Sequence, residues 1–255
     1  MPLEIVTLPC LSDNYAYLLH DSKSGKTALV DAPEAEAIKT ALAARGWSLE
    51  VILLTHHHYD HIDGVAELCA QYNPAVYGAK ADAARLPPLT HALEDGDNFE
   101  LFGEPVQVLD VSGHTIGHIA FYLPESQAVF TADSLMALGC GRLFEGTPDM
   151  MWQSLNRLMA LPPQTWVYSG HEYTQSNARF ALTIEPDNTA LQLRAAQIAN
   201  ARAKGEATIP SLLQQELETN PFLRAHLDEV KTAIGMQDAE STEVFAKIRD
   251  LKDRF

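Results

Sequence analysis

Basic side chains are scarce in this chain of 255 residues: 18 lysines and arginines stand against 34 aspartates and glutamates, a formal net charge of −16. Such a chain repels polyanions, so neither nucleic acid nor an anionic membrane surface is an expected partner, and any anionic substrate needs a local basic patch. Cysteine is scarcer still. Cys10, Cys69 and Cys140 are odd in number, far apart and without a CxxC pair, which excludes a disulfide framework and leaves buried thiols as the reading. Long apolar runs are absent, so no membrane span is expected. The opening stretch MPLEIVTLPCLSDNY has no basic flank leading into an apolar core and carries Glu4 early; it reads as neither a secretory signal nor a transit peptide, and a cytoplasmic protein is expected. Internal repeats, low-complexity tracts and Gly/Ser linkers are lacking too, so any separate parts are expected to pack directly on one another.

What is present is an ordinary globular composition, 46% hydrophobic and 20% charged, long enough for one large domain or a domain with a smaller partner. Short β-rich runs recur through the first two thirds, at Glu4–Leu8, Ala16–His20, Thr27–Asp31, Val51–Thr55, Ala75–Tyr77, Val106–Val111, Ile119–Leu123, Ala128–Thr131 and Trp166–Tyr168. Between them, Glu34–Arg45, Asp63–Tyr72 and Asp149–Ala160 carry apolar residues at helical spacing, which together predicts a layered α/β architecture. From about Glu172 the strand pattern gives way to helical segments at Asn177–Ile184, Thr189–Lys204, Ser211–Thr219 and Thr242–Lys252, so the last third is predicted to be all-helical.

The densest chemical signal is Thr55-His56-His57-His58-Tyr59-Asp60-His61, where four of the chain's ten histidines fall directly after an apolar strand. In an extended segment His56 and His58 project to one side and His57 to the other, so the first two suit one metal and His57 is a spacer or a support. Asp60 and His61, past the turn, face a second position. Imidazole and carboxylate suit zinc, iron or manganese, and no thiolate lies in the cluster to close a structural site, so a catalytic metal centre is indicated. Further donors follow three other strands: His114 in VSGHTIGH, Asp133 in FTADS and His171 in VYSGHEY. By this sorting His56, His58 and His114 hold one metal, Asp60, His61 and His171 the other, and the two oxygens of Asp133 bridge them. Two ions roughly 3.5–4 Å apart share a hydroxide and polarise a carbonyl, chemistry that hydrolyses a substrate without a protein nucleophile.

Other polar residues have plainer readings. His118 is expected to orient a neighbour, while His20, His91 and His226 read as surface or half-buried; Asp31, Asp63 and Asp110 fit acceptors behind the metal ligands or structural caps equally well. The glycines of Gly139–Gly146 lack the spacing and the Lys-Ser/Thr pair of a phosphate loop, so a site loop is expected there. Arg249, Lys252 and Arg254 on the last helix read first as a solvated cationic face.

The pattern THxHxDH, then GH, then Asp, then a final His resembles the metallo-β-lactamase superfamily, which implies a four-layer αββα sandwich. CGRLFEGT (Cys140–Thr147), GHEYTQSN (Gly170–Asn177), NPFLR (Asn220–Arg224) and the ending LKDRF resemble, within it, the hydroxyacylglutathione hydrolases (glyoxalase II), along essentially the whole chain. That resemblance implies a metal-binding catalytic domain over residues 1–172 and a smaller all-helical substrate domain over 173–255. It implies hydrolysis of S-D-lactoylglutathione and related 2-hydroxyacylglutathiones to glutathione and D-lactate, the second step of methylglyoxal detoxification. Two divalent metal ions per chain are implied, zinc foremost with iron or manganese as alternatives, and Asp60 and Asp133 carry the catalytic roles. Arg142, Tyr173, Arg249 and Lys252 are implied to contact the glutathione moiety, whose carboxylates suit cationic side chains. Phe144 stands there too, where the family often has Tyr; Arg142 replaces a frequent Lys, and Asp63 and Ala132 stand where Gly is common.

Other chemistries share parts of this pattern. A persulfide dioxygenase, or another thioester or ester hydrolase of the superfamily, shares the scaffold, but a one-iron site would not need both donor sets. An RNA-processing nuclease conflicts with the charge of −16. A non-enzymatic metal-binding or scaffold protein could have lost a donor, and none is lost. A small-molecule thioester is therefore the expected partner of a chain expected to be monomeric.

Overall fold

The computed structural model describes residues 2–255, and its contacts group them into two compact units: residues up to Asp110 with Ile116–Ala132, and Val111–Thr115 with Asp133–Phe255. In the first unit β1 (Glu4–Cys10), β2 (Asn14–Asp21) and β3 (Lys26–Val30) form an antiparallel meander. Helix α1 (Ala35–Arg45) then crosses over to β4 (Val51–Leu53), and α2 (Tyr59–Ile62) with α3 (Val65–Tyr72) crosses to β5 (Ala75–Ala79). These strands, with β6 (His91–Leu93), run parallel from β3 onward, as helical crossovers require. The buried residues of α1, led by Ile38 and Leu42, pack with Leu18, Leu29, Ile52 and Leu68 into one apolar core. A left-handed Gly46 ends α1, its backbone N–H bonding to the carbonyls of Ala43 and Leu42.

The same unit holds a second antiparallel meander of β7 (Asn98–Leu101), β8 (Glu104–Asp110), β9 (Ile119–Leu123) and β10 (Ala128–Ala132). Strands β9 and β10 are buried at every position, which is why both read as continuous apolar runs rather than alternating ones.

In the second unit a small hairpin, β11 (Leu135–Met136) and β12 (Gly139–Cys140), precedes α4 (Pro148–Met159), whose Thr147 cap accepts the Met150 N–H. Strand β13 (Trp166–Ser169), α5 (Thr174–Ile184), α6 (Thr189–Ala203), β14 (Ser211–Leu212), α7 (Leu213–Thr219), α8 (Asp228–Ala233) and α9 (Ser241–Asp253) complete it. The last third is not wholly helical: Ser211 and Leu212, expected to open a helix, pair antiparallel with Val167 and Trp166, and α7 starts only at Leu213. Two residues are too few to carry a period, so the pairing has no sequence signature. His20, expected near the surface, is buried, its ring stacked on Trp47 and its Nδ1 bonded to Thr27 Oγ1. Among the described residues no helix is long and apolar enough to cross a membrane.

Candidate functional site

The histidine cluster follows β4 and runs into α2, so Asp60 and His61 sit on a helical turn while His56 and His58 precede it. The strand is fully buried and its end delivers His56 into the interior; His56 and His61 are both inaccessible. Their ring orientations are set from behind. Asp31, at the end of β3, accepts the Thr55 N–H on Oδ1 (2.9 Å) and the Thr55 hydroxyl on Oδ2 (2.8 Å). Having given its proton to Asp31, the Thr55 hydroxyl can only accept from His56 Nδ1, 3.0 Å away. His61 Nδ1 likewise faces Asp31 Oδ2 at 2.8 Å. Both imidazoles therefore carry their proton on Nδ1 and present the lone pair of Nε2, the state a metal ligand needs.

Asp31, His56 and His61 have donor atoms within 4.8 Å of one another, but Asp31 stands behind the rings rather than beside a metal, because its oxygens are committed to Thr55 and His61. Asp60 is held in turn by Asn14 of β2, whose amide donates to both its carbonyl and its Oδ2 at 3.0 Å; Asp60 Oδ2 lies 3.9 Å from His61 Nε2. His58 stands with its ring centroid 4.8 Å from that of His56. His57 points away, as its place in an extended segment predicts, and bonds Asp82 at 2.9 Å; Asp82 is gripped by Arg85, which also donates to the Ile116 carbonyl. His118 stacks on His56 with planes 10° apart, in keeping with an orienting role.

In the second unit the donors are His114, Asp133 and His171, all buried. His114 Nδ1 donates to the Arg142 carbonyl at 2.8 Å, so its Nε2 also presents a lone pair. Asp133 Oδ2 lies 3.4 Å from that nitrogen and 3.3 Å from His171 Nε2. A lone pair facing a carboxylate oxygen is repulsive unless a cation sits between them. Two donors about 2.1 Å from a tetrahedrally bound ion are about 3.4 Å apart, which is the spacing found. The donor chemistry and the spacing thus fit a divalent metal. Phe144 packs edge-on against the His114 ring and Tyr173 stacks on His171, and both aromatics are exposed on their far sides.

Cations gather in the same unit. Lys252 Nζ sits 5.3 Å from the ring centroids of both Phe180 and Phe255. Burial, followed by the positive charges of Arg249, Arg179 and Arg142, pushes its ammonium down to about 8, with Asp253 pulling the other way. Arg142 reaches Asp253 Oδ1 at 3.6 Å and remains largely exposed. Arg249 does not lie on a solvated face: it is buried, stacked over Phe222, with Nη1 on the Cys140 carbonyl (2.8 Å) and Nη2 on Asp253 (2.8 Å). Its burial follows from α9 turning Phe245, Ile248 and Arg249 inward. Cys140 beside it is inert, its thiol pushed up to about 11 by burial. Asn14, Asp82 and Arg179 had no signal of their own in the sequence; an Asn buried within a strand, as Asn14 is, becomes legible only once burial is known.

Comparison with known proteins covers the whole chain. Residues 12–171 match the model of the metallo-beta-lactamase superfamily, and residues 172–255 that of the hydroxyacylglutathione hydrolase C-terminus. A protein of Ruegeria pomeroyi named Hydroxyacylglutathione hydrolase is 66% identical over 255 residues, covering 100% of both chains. Another of that name, from Brucella anthropi, is 52% identical over 99% of this chain and 97% of its own. Among solved structures, TTHA1623 in a di-iron-bound form is 34% identical with a TM-score of 0.57, over 66% of this chain and 91% of that one. ETHE1 from Myxococcus xanthus, 24% identical, has a TM-score of 0.68 over 98% of this chain and 90% of its own, a likeness of fold.

Proposed function

Because this chain belongs to the hydroxyacylglutathione hydrolases of the metallo-β-lactamase superfamily, we propose that it is a thioester hydrolase converting S-D-lactoylglutathione and related 2-hydroxyacylglutathiones to glutathione and the free hydroxy acid. It would act as the second step of methylglyoxal detoxification, in the cytoplasm and as a monomer. The observation that carries the substrate class is the cation group: in a chain of net charge −16, Arg249, Arg179 and Arg142 stand close enough to Lys252 for their charges to add to burial in depressing its ammonium. Such a patch suits a small anion with two carboxylates. Full-length kinship with hydroxyacylglutathione hydrolases weighs against the persulfide reaction and the other rivals.

In this reading residues 1–172 are the catalytic domain and 173–255 the helical domain that receives glutathione. His56, His58 and His114 would hold one metal, Asp60, His61 and His171 the other, and Asp133 would serve both; zinc is preferred, with iron or manganese as alternatives. When bound, the metal pair supplies an acidified water and an electrophile for the thioester carbonyl. The chain does the rest. Asp31, Thr55 and the Arg142 carbonyl hold the imidazole protons on Nδ1, so no ring has to turn over during the reaction. Asp60, steadied by Asn14, and Asp133 would orient the attacking water. Arg142, Tyr173, Arg249 and Lys252 would hold the tripeptide, with Phe144 beside them on the substrate. Collapse of the tetrahedral adduct breaks the C–S bond, and glutathione leaves as a thiolate.

The test is loss of S-D-lactoylglutathione with metal-replete protein, together with metal counting. Two ions per chain and turnover that Asp133→Ala lowers at least 100-fold are expected. Fewer than two ions with full activity in Asp133→Ala would end the dinuclear reading; two ions without turnover would move the substrate to another thioester or an ester.

A further inference from the structure

The β11–β12 hairpin runs between the donor Asp133 and the exposed Arg142, and side chains from the helical region bond to its backbone at successive residues. Asn220 donates through Nδ2 to the carbonyls of Met136 (3.2 Å) and Gly139 (3.0 Å), and Asn177 donates to that of Ala137 (3.0 Å). Between them the Leu138 N–H donates to Glu216 Oε2 at 2.8 Å, and Arg249 donates to the Cys140 carbonyl at 2.8 Å. Glu216 is fully buried and paired with Arg194, and Asn220 donates to it as well. Leu138 takes a φ of 56°, a left-handed conformation that a leucine adopts only when its surroundings hold it there.

The far end of the hairpin abuts two donors. The Arg142 carbonyl fixes His114 Nδ1. Gly141 leaves no room for a side chain: a Cβ there would lie 2.0 Å from the Asp133 carbonyl oxygen and 2.8 Å from His114 Nδ1. Any shift of the turn at 136–140 is therefore passed to Asp133 and His114 within one or two residues. Buried neutral amides bonding to carbonyls are well suited to this task, because each bond lost leaves an acceptor that no water can reach.

We propose that Asn220, assisted by Asn177, is a positioning residue of the reaction: through the hairpin backbone it sets where His114 and Asp133 stand. This rests on the reading that these two residues ligate metal. Outer groups that orient metal ligands change metal affinity by about 10- to 100-fold when removed.

The experiment compares full-length Asn220→Ala and Asn177→Ala with Asn188→Ala, each loaded with cobalt(II). Asn188 caps α6 and bonds the Glu218 carbonyl, and makes no hydrogen bond to the hairpin itself. Expected are a displaced visible cobalt spectrum and metal affinity lower by about 10- to 100-fold in Asn220→Ala. A smaller change of the same kind is expected in Asn177→Ala, with kcat falling and KM held, and none in Asn188→Ala. Wild-type spectra and affinities in both hairpin variants would overturn the role, whatever the turnover. Should Asn220→Ala fail to fold, the Asn177→Ala spectrum decides alone. A wild-type protein inert toward S-D-lactoylglutathione, with the spectra displaced as expected, would remove the substrate reading and leave the positioning role standing.

Discussion

Ala132 and Asp31 both take left-handed backbone conformations, with φ of 41° and 55°, and both lie at strand ends beside the donors. Asp side chains tolerate this region; Ala does so at a cost of roughly 1–2 kcal/mol. That cost gives a physical reason for the glycine that the family often has at position 132. Asp63, the other departure, has an ordinary helical φ of −59° and gains nothing from glycine. Ala132→Gly is expected to stabilise the protein by about 0.5–1 kcal/mol, since relief of strain exceeds the added freedom of the unfolded chain. Urea unfolding checks it, and a lower midpoint with unchanged slope would count against strain at this site. The same residue scale explains why Asp31 stayed ambiguous from sequence: a cap and a support for His61 use the same side chain, and only the 2.8 Å contact to Nδ1 separates them.

Among elements, the hairpin β11–β12 is the one on which most depends. Gly141→Ala is expected to push it off the Asp133 carbonyl and the His114 ring and to lower kcat by 10-fold or more, because a contact of 2.0 Å with backbone cannot relax through a side-chain rotamer. Steady-state kinetics on metal-replete protein would show it, and wild-type kcat would mean that the hairpin is free to move. The strands that deliver donors were legible because each is an apolar run ending in a His or Asp: Val51–Leu53 before the cluster, Ala128–Ala132 before Asp133, Trp166–Ser169 before His171. The hairpin and β14 were not, being two residues per strand and too short for any period. The buried setting of Arg249 was hidden for a different reason: an arginine on an amphipathic helix reads as solvated until its partners, the Cys140 carbonyl and Asp253, are known.

At the scale of the whole molecule, the acidic chain concentrates its useful positive charge in one unit, drawn from the loop of Arg142, from Arg179 on α5 and from Arg249 and Lys252 on α9. Lys252, pushed down to about 8, is charged below that pH and neutral above it. Glutathione binding through its carboxylates is therefore expected to weaken as pH rises through 8, seen as a rising KM with little change in kcat, and Lys252→Met is expected to flatten that profile. Stability moves oppositely: between about 8 and the ordinary lysine value the unfolded chain holds a proton that the folded one has released, so this group favours folding more as pH rises. A KM indifferent to pH in the wild type would remove Lys252 from substrate binding. The hairpin grip has a consequence for how such an enzyme diversifies. Asn177, Glu216 and Asn220 reach the hairpin through peptide groups of 136–139, so their grip on it does not read which side chains follow at Arg142 and Phe144, both of which are exposed. Those two positions can drift, or be randomised in a library, to favour other acyl or thiol groups while the grip on the hairpin behind them is inherited unaltered.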